Sequence, residues 1–300
     1  MAENKNVNTN CSGKDQLAAL AKARASMYRF LGGLYIMEVD KDQMALLKKL
    51  NFPEITGSSD ADQDLRDGYA LLRAYLAEFP EADADVNAEA AAGANSEVTA
   101  GANASGSAVM NQPVRGELSV KDTTAELIGK AGAVADKPEV DAKLDDLAAD
   151  FAKVFLAAGD ATGRAAFPYE SVYVDKRHRV GGSTEMQMRA LYLERGLEAD
   201  PDAYRTMDDN IGLMLEYQGN VCEELAAALE AGDDEKAKAI LKEQKTFVKK
   251  HMTNWVYSFT ADVIKYSERD FYKGVAKITN GFIKKEAELL KKGAAAWDIE

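Results

Sequence analysis

Apolar residues in this chain recur at three- and four-residue steps wherever they are dense, and that period decides what the chain can fold into. Leu17, Leu20, Arg24, Met27, Tyr28, Leu31, Leu34 and Tyr35 make the first stripe. Leu65, Tyr69, Leu72, Leu76 and Phe79 make a second, and Leu144, Leu147, Phe151, Val154 and Phe155 a third. Met44, Leu47 and Leu50 predict a short helix between the first two, ended near Asn51-Phe52-Pro53 because proline disfavours helical geometry in the residue before it. Further on, a helix is expected over Glu185 to Arg195, with Gly196 as its stop. A long one follows with Ile211, Met214, Leu215, Gln218, Cys222, Leu225 and Leu229 on one face. Another long helix carries Ile240, Leu241, Phe247, Val248, His251, Trp255 and Phe259, and the last packed one carries Phe271, Val275, Ile278 and Phe282. The one β-like run, Ser171 to Val174, is too short to found a sheet. The expected fold is all-α, a single helical bundle domain.

Between Pro80 and about Pro138 the composition shifts to Ala, Gly, Asn, Ser, Asp and Glu, with almost no large apolar residue from Glu81 to Ser107. Such a segment buries too little surface to offset its ordering entropy. It is expected to be a disordered low-complexity loop at about 80–138 inserted into the domain, with a transient helix over Lys121 to Gly129. The stripes on either side each need a partner to cover them, which favours one domain over two joined by a linker. The domain is expected to span 15–292, between a disordered tail at 1–14 and a C-terminal tail at 293–300.

With 46% hydrophobic residues, the 300-residue chain has enough apolar surface for a sizeable core. A net charge of -13 argues against nucleic acid, whose phosphates require clustered Lys and Arg. The acidity either attracts a basic peptide or serves only solubility. Neither a secretory signal nor an apolar run of about 18 residues is present, so the expectation is a soluble, cytoplasmic protein without stable membrane insertion. Cys11 and Cys222 have no disulfide or redox spacing, and His178 and His251 have no ligand neighbours, so neither a metal nor a cofactor is expected.

Three segments stand out from the periodic background. In Phe167-Pro168-Tyr169-Glu170-Ser171, Pro168 imposes extended geometry on Phe167. The loop either presents Tyr169 and Glu170 to a ligand, or packs Tyr169 and Tyr173 on the bundle while Glu170 caps a neighbouring helix. Met207-Asp208-Asp209-Asn210 opens a helix that carries Glu216 about two turns on. Asp208 and Asp209 suit helix capping. As paired carboxylates they also admit acid–base chemistry, but no nucleophile, metal cluster or base completes a catalytic set, so an enzyme is not expected. His251 and Trp255, four residues apart, share a helix face that Phe259 extends, and the imidazole is either a satisfied core residue or a hydrogen-bond partner of a loop carboxylate such as Asp209.

Taken in order, these blocks resemble the TorD/DmsD/NarJ-like family of molybdoenzyme maturation chaperones. Arg24 to Leu31 is similar to the family's first helix. Asp150 to Phe155 with Phe167 to Tyr173 is similar to its most recognisable block, and Lys249 to Phe259 with Phe271-Tyr272-Lys273 to its last helical pair. Met207 to Tyr217 resembles the acidic hinge motif, with Met207 where Pro is usual and Asn210 where His is usual. The resemblance covers about Ala23 to Glu288, apart from the low-complexity insertion. It implies a cytoplasmic chaperone, in anaerobic respiration, for the apo form of a molybdopterin oxidoreductase catalytic subunit and for its twin-arginine signal peptide. It implies a client-binding site at Tyr169, Glu170, Asp208, Asp209, Asn210, Glu216, His251 and Trp255, in a monomer or a domain-swapped dimer. A helical scaffold without client maturation, and a carboxylate-dependent hydrolase or lyase, are the alternative readings.

Overall fold

A computed structural model describes residues 13–79, 116–118, 138–159, 163–199 and 206–296. They form ten α-helices: α1 (Gly13–Ile36), α2 (Lys41–Lys49), α3 (Asp60–Ala77), α4 (Pro138–Leu156), α5 (Glu170–Val174), α6 (Ser183–Glu194), α7 (Ile211–Glu230), α8 (Asp234–Phe247), α9 (Val256–Tyr266) and α10 (Asp270–Ala296). The chain is all-α, as the periodicity predicts. The exception is a pair of three-residue parallel strands, β1 (Gly116–Leu118) and β2 (Leu197–Ala199), which no alternation announced. Apart from β1 and the start of α4, the loop expected at 80–138 lies outside the described residues, and so do the helix expected over 121–129 and Cys11.

Helix starts follow local chemistry. Asp40 and Gln43 form a reciprocal capping box at α2, and Ser59 and Asp62 another at α3, each satisfying donors that the first turn leaves free. The α1 stripe packs along α7 and the α3 stripe along α10, while α8 bridges α7 and α10 and α9 lies on α10. All contribute to one continuous apolar core, in which Tyr28, Tyr35, Tyr217, Trp255, Phe259 and Tyr272 are fully buried.

Both long helix pairs approach closely through glycines. A Cβ on Gly32 of α1 would lie 2.9 Å from the Gly212 carbonyl oxygen of α7, and one on Gly68 of α3 would lie 2.8 Å from the Gly274 oxygen of α10. Gly68→Ala should therefore force α3 and α10 apart and lose about 1–3 kcal/mol of stability. Gly293→Ala, where a Cβ meets nothing within 4 Å, should be neutral or gain a few tenths. Urea denaturation of the two variants distinguishes a packing cost from helix propensity.

The long helix expected from Ile240 to Phe259 is interrupted. After α8 the chain widens into one π-helical turn, Val248–Met252, where the Thr253 amide donates to the Val248 carbonyl at 2.9 Å, and α9 starts afresh at Val256. Neither Pro nor Gly marks the break; the neighbours of His251 and Trp255 hold it. The run Ser171 to Val174 is helical, within α5, despite its β-branched and aromatic content.

Candidate functional site

The extended segment before α5 and the segment before α7 are zipped together in antiparallel fashion. The Glu170 amide donates to the Asp209 carbonyl at 3.1 Å, and the Ile211 amide to the Pro168 carbonyl at 2.8 Å. Tyr169, the residue before α5, provides no side-chain cap. The cap comes from across the hinge, where the fully buried Asp209 accepts the Ser171 amide on Oδ2 at 2.8 Å. Capping of α7 falls to Asn210, whose Oδ1 accepts the Gly212 amide at 2.8 Å. The expectation that Asp208 and Asp209 cap the following helix is thus corrected by one residue and by one helix, since an Asp already turned toward α5 cannot also reach α7.

Glu170 neither faces solvent nor caps a helix. Its buried carboxylate meets His251 Nδ1 at 3.0 Å and accepts from Asn254 Nδ2 at 3.3 Å. The partner of His251 is therefore Glu170 rather than Asp209. The imidazole lies against Phe247, and the His251 carbonyl accepts Trp255 Nε1–H at 2.6 Å, which ties the indole into the π-helical turn. Tyr173 packs on Trp255 with ring centroids 5.5 Å apart and donates to Asp262 at 3.2 Å. Burial, then the nearby Asp262 carboxylate, raises the Tyr173 phenol above its ordinary range. Segments 167–173, 206–210 and 247–262 thus share one buried network, although stretches 174–205 and 211–246 separate them in the chain.

Tyr169, Thr206 and Asn210 stand where this network meets open space. Thr206 Oγ1 pairs with the Tyr169 hydroxyl at 3.1 Å and accepts from Asn210 Nδ2 at 3.0 Å. A cavity of about 430 Å³ runs from these three residues past Pro168 and Phe155 to Glu38. A second of about 340 Å³ shares Phe155, Leu156, Tyr169 and Thr206 and continues to Phe167, Val180 and Met207. Together they make a trough, and Leu156, Val180 and Met207 expose 59%, 44% and 42% of their surface along it. Asp208 lines a separate hollow of about 240 Å³ with Glu185, Arg189 and Glu198; burial, more than its acidic neighbours, raises its carboxyl.

Glu216 is not part of this cluster. It is 2% exposed, faces α1, and accepts from Arg29 Nε at 3.1 Å. Burial pushes its carboxyl up to about 7 against the opposing influence of Arg29. The folded chain therefore holds this proton more tightly than the unfolded chain, so stability falls as pH rises from about 4.5 to about 7. Glu216→Gln, which cannot ionise, should exceed the parent by about 2 kcal/mol at pH 8 and lose that advantage near pH 5. Denaturant midpoints at the two pH values check this; equal differences at both would show that no buried ionisation is involved.

Seven of the eight sequence-derived site residues gather at the hinge or line the hollow beside it, and Glu216 sits apart. Thr206, Asn254 and Arg29 escaped sequence reading. Asn254 carried a signal, one turn beyond His251 on the same helical stretch; Thr206 carried none. Among the described residues, no group of three or more His, Cys, Asp or Glu could hold a metal ion, and no helix is long and apolar enough to cross a membrane.

This all-helical domain, with buried carboxylates at the junction before α5 and α7 and an adjoining apolar trough, is similar to known proteins over part of its length. A family model described as nitrate reductase delta subunit matches residues 119–261. Among curated proteins, the chaperone protein TorD of Vibrio vulnificus is 27% identical over 150 residues, 50% of this chain and 66% of that protein. TorD of Shewanella pealeana is 26% identical over 161 residues, 52% of this chain and 65% of the relative. TorD of Photobacterium profundum is 28% identical over 154 residues, 51% and 68%. The chain thus spans about two thirds of the length of these relatives. No solved structure matches. These matches support a relationship to the TorD/NarJ-like family of molybdoenzyme maturation chaperones.

Proposed function

We propose that this protein is a cytoplasmic, system-specific chaperone, not an enzyme. It binds the apo catalytic subunit of a molybdenum-cofactor oxidoreductase and its twin-arginine signal peptide, and holds the subunit until the cofactor is inserted. The cofactor belongs to the client. The observation that carries the reading is the convergence of the family-like blocks on one hinge bordering an open apolar trough.

The trough is built for an extended or helical apolar segment, because its walls are apolar and its polar groups are few and convergent. Tyr169, Thr206 and Asn210 offer hydroxyl and amide groups to the client backbone. Glu38 at one end, with Asp208 in the neighbouring hollow, suits basic residues flanking that segment. In this proposal Tyr169, Asp208 and Asn210 touch the client. Glu170, Asp209, His251 and Trp255 hold the wall in shape, and Glu216 acts through α1.

Leu156→Ser combined with Met207→Ser removes apolar surface from the trough without disturbing the core, since both side chains are mostly exposed or nearly half so. Binding of a synthetic twin-arginine signal peptide from a molybdoenzyme encoded in the same genome should weaken about tenfold, or about 1.4 kcal/mol. Titration calorimetry reads this directly, and an unchanged affinity would remove the trough from the binding site.

A further inference from the structure

The buried stripe of α10 points to one more apolar residue than the helix contains. Ala276, Ile283 and Leu290 recur at seven-residue steps and are buried. The next position of that stripe is Trp297, bonded directly to the last helical residue, Ala296. Trp297 itself lies outside the described residues.

Contacts between α10 and α1 fix what stands opposite that position, because the two helices run antiparallel. Thr279 Oγ1 meets the Tyr35 hydroxyl at 2.9 Å. Further along α10, Glu286 Oε2 accepts from the Tyr28 hydroxyl at 2.8 Å and from Arg24 Nη2 at 2.7 Å. Each later turn of α10 therefore meets an earlier turn of α1, and the position after Ala296 falls opposite the first turns of α1, near Leu17.

A groove of about 340 Å³ lies at this end of the bundle. Leu17 and Leu20 of α1, Leu225 and Leu229 of α7, Leu241 of α8 and Leu289 of α10 line it, and Leu17 and Leu20 are each 42% exposed. Gly293 of α10 borders the same groove, and a Cβ there would meet nothing within 4 Å. Arg24 also lines it, but its guanidinium is taken up by Glu286 and Gln244, which leaves Lys292, itself exposed, as the other cation. The group that fits is therefore apolar, since a buried charge would find no partner.

We propose that Trp297 covers this groove in its own molecule and seals the end of the bundle between α1 and α10. A helical side chain leans toward the N-terminus and covers the surface about one turn back, which directs the indole over Gly293 and toward Leu17 and Leu20. An indole buries about 150–250 Å², enough to cover two half-exposed leucines. The short covalent tether gives it an effective concentration in the millimolar range, so it outcompetes the same residue of a second copy. Closure also keeps water from Arg24, where a drier surrounding strengthens the ion pair with Glu286.

The test uses the full chain, whose two tryptophans are Trp255 and Trp297. Subtracting the emission of Trp297→Phe from that of the parent isolates Trp297. Its emission should be blue-shifted and several-fold less quenched by acrylamide than that of N-acetyltryptophanamide, at any protein concentration. Leu17→Lys with Leu20→Lys, measured against its own Trp297→Phe counterpart, should shift this emission to the red and bring quenching close to that of the free amide. Leu20→Ser, a milder change, should act in the same direction, while Leu156→Ser at the trough should change neither reading. Trp255 emission in each Trp297→Phe counterpart reports that the fold is intact. Red emission open to acrylamide in the parent would overturn the proposal. So would shielding that ignores the substitutions at Leu17 and Leu20, which puts the indole elsewhere, or shielding lost on dilution, which puts it in the groove of a second copy.

Discussion

Arg24→Met should lose about 3–5 kcal/mol of folding stability, the largest cost expected of any single change considered for this chain. Arg24 lies in the apolar stripe of α1, with its side chain 6% exposed beside a Glu286 side chain that is 4% exposed. Its Nε donates to both Glu286 oxygens at 2.9 and 3.0 Å, and its Nη2 to Oε2 at 2.7 Å. The Tyr28 hydroxyl completes the carboxylate at 2.8 Å, and Gln244 Oε1 accepts from both terminal nitrogens. Burial alone would lower the Arg24 pKa, but the Glu286 carboxylate reverses this and drives it above the ordinary arginine range. Removing the guanidinium leaves a buried carboxylate uncompensated. Arg24→Met with Glu286→Met removes both charges and should recover most of the loss, because well-packed apolar replacements of buried pairs are close to neutral. Urea denaturation of the single and double variants measures both; a double variant as unstable as the single one would mean that packing, not charge, makes Arg24 important.

Glu170→Ala should cost about 2–3 kcal/mol and also weaken client peptide binding. It strips His251 and Asn254 of a shared buried acceptor and leaves a void under α5. The functional effect follows from position: Tyr169, at the trough, is the residue immediately before Glu170, so the wall moves when its anchor goes. His251→Gln keeps a donor toward Glu170 and should lose less of both. If Glu170→Ala left peptide affinity intact while destabilising the fold, the network would be structural support without influence on the trough.

The helices were legible because burial of one face imposes a 3.6-residue period on Leu, Phe and Tyr, and the stripes at Leu17 to Tyr35 and Leu65 to Phe79 lie within α1 and in or just beyond α3. What eluded the sequence depends on contacts between distant residues. The π-helical turn at Val248–Met252 is held by Trp255 Nε1–H on the His251 carbonyl and by Glu170, some 80 residues upstream. Ser171 to Val174 has strand-like composition and becomes helical where Asp209 supplies its cap from across the hinge. The pairing of β1 with β2 gave no signal, since three-residue strands are too short for alternation. For the site, the identities of Glu170, Asp209 and His251 were legible from their blocks. That Glu170 pairs with His251 while Asp209 caps α5, and that Tyr169, Asn210 and Asp208 line the neighbouring hollows, was not.

The most direct test of the chaperone assignment is affinity purification of the tagged protein from its native host under anaerobic respiratory growth, with mass spectrometry of the co-purifying proteins. The account predicts enrichment of a molybdopterin oxidoreductase catalytic subunit, retained by the wild type and depleted from the Leu156→Ser/Met207→Ser variant. Recovery of the wild-type protein without any such subunit, from cells shown to be making several, would contradict it.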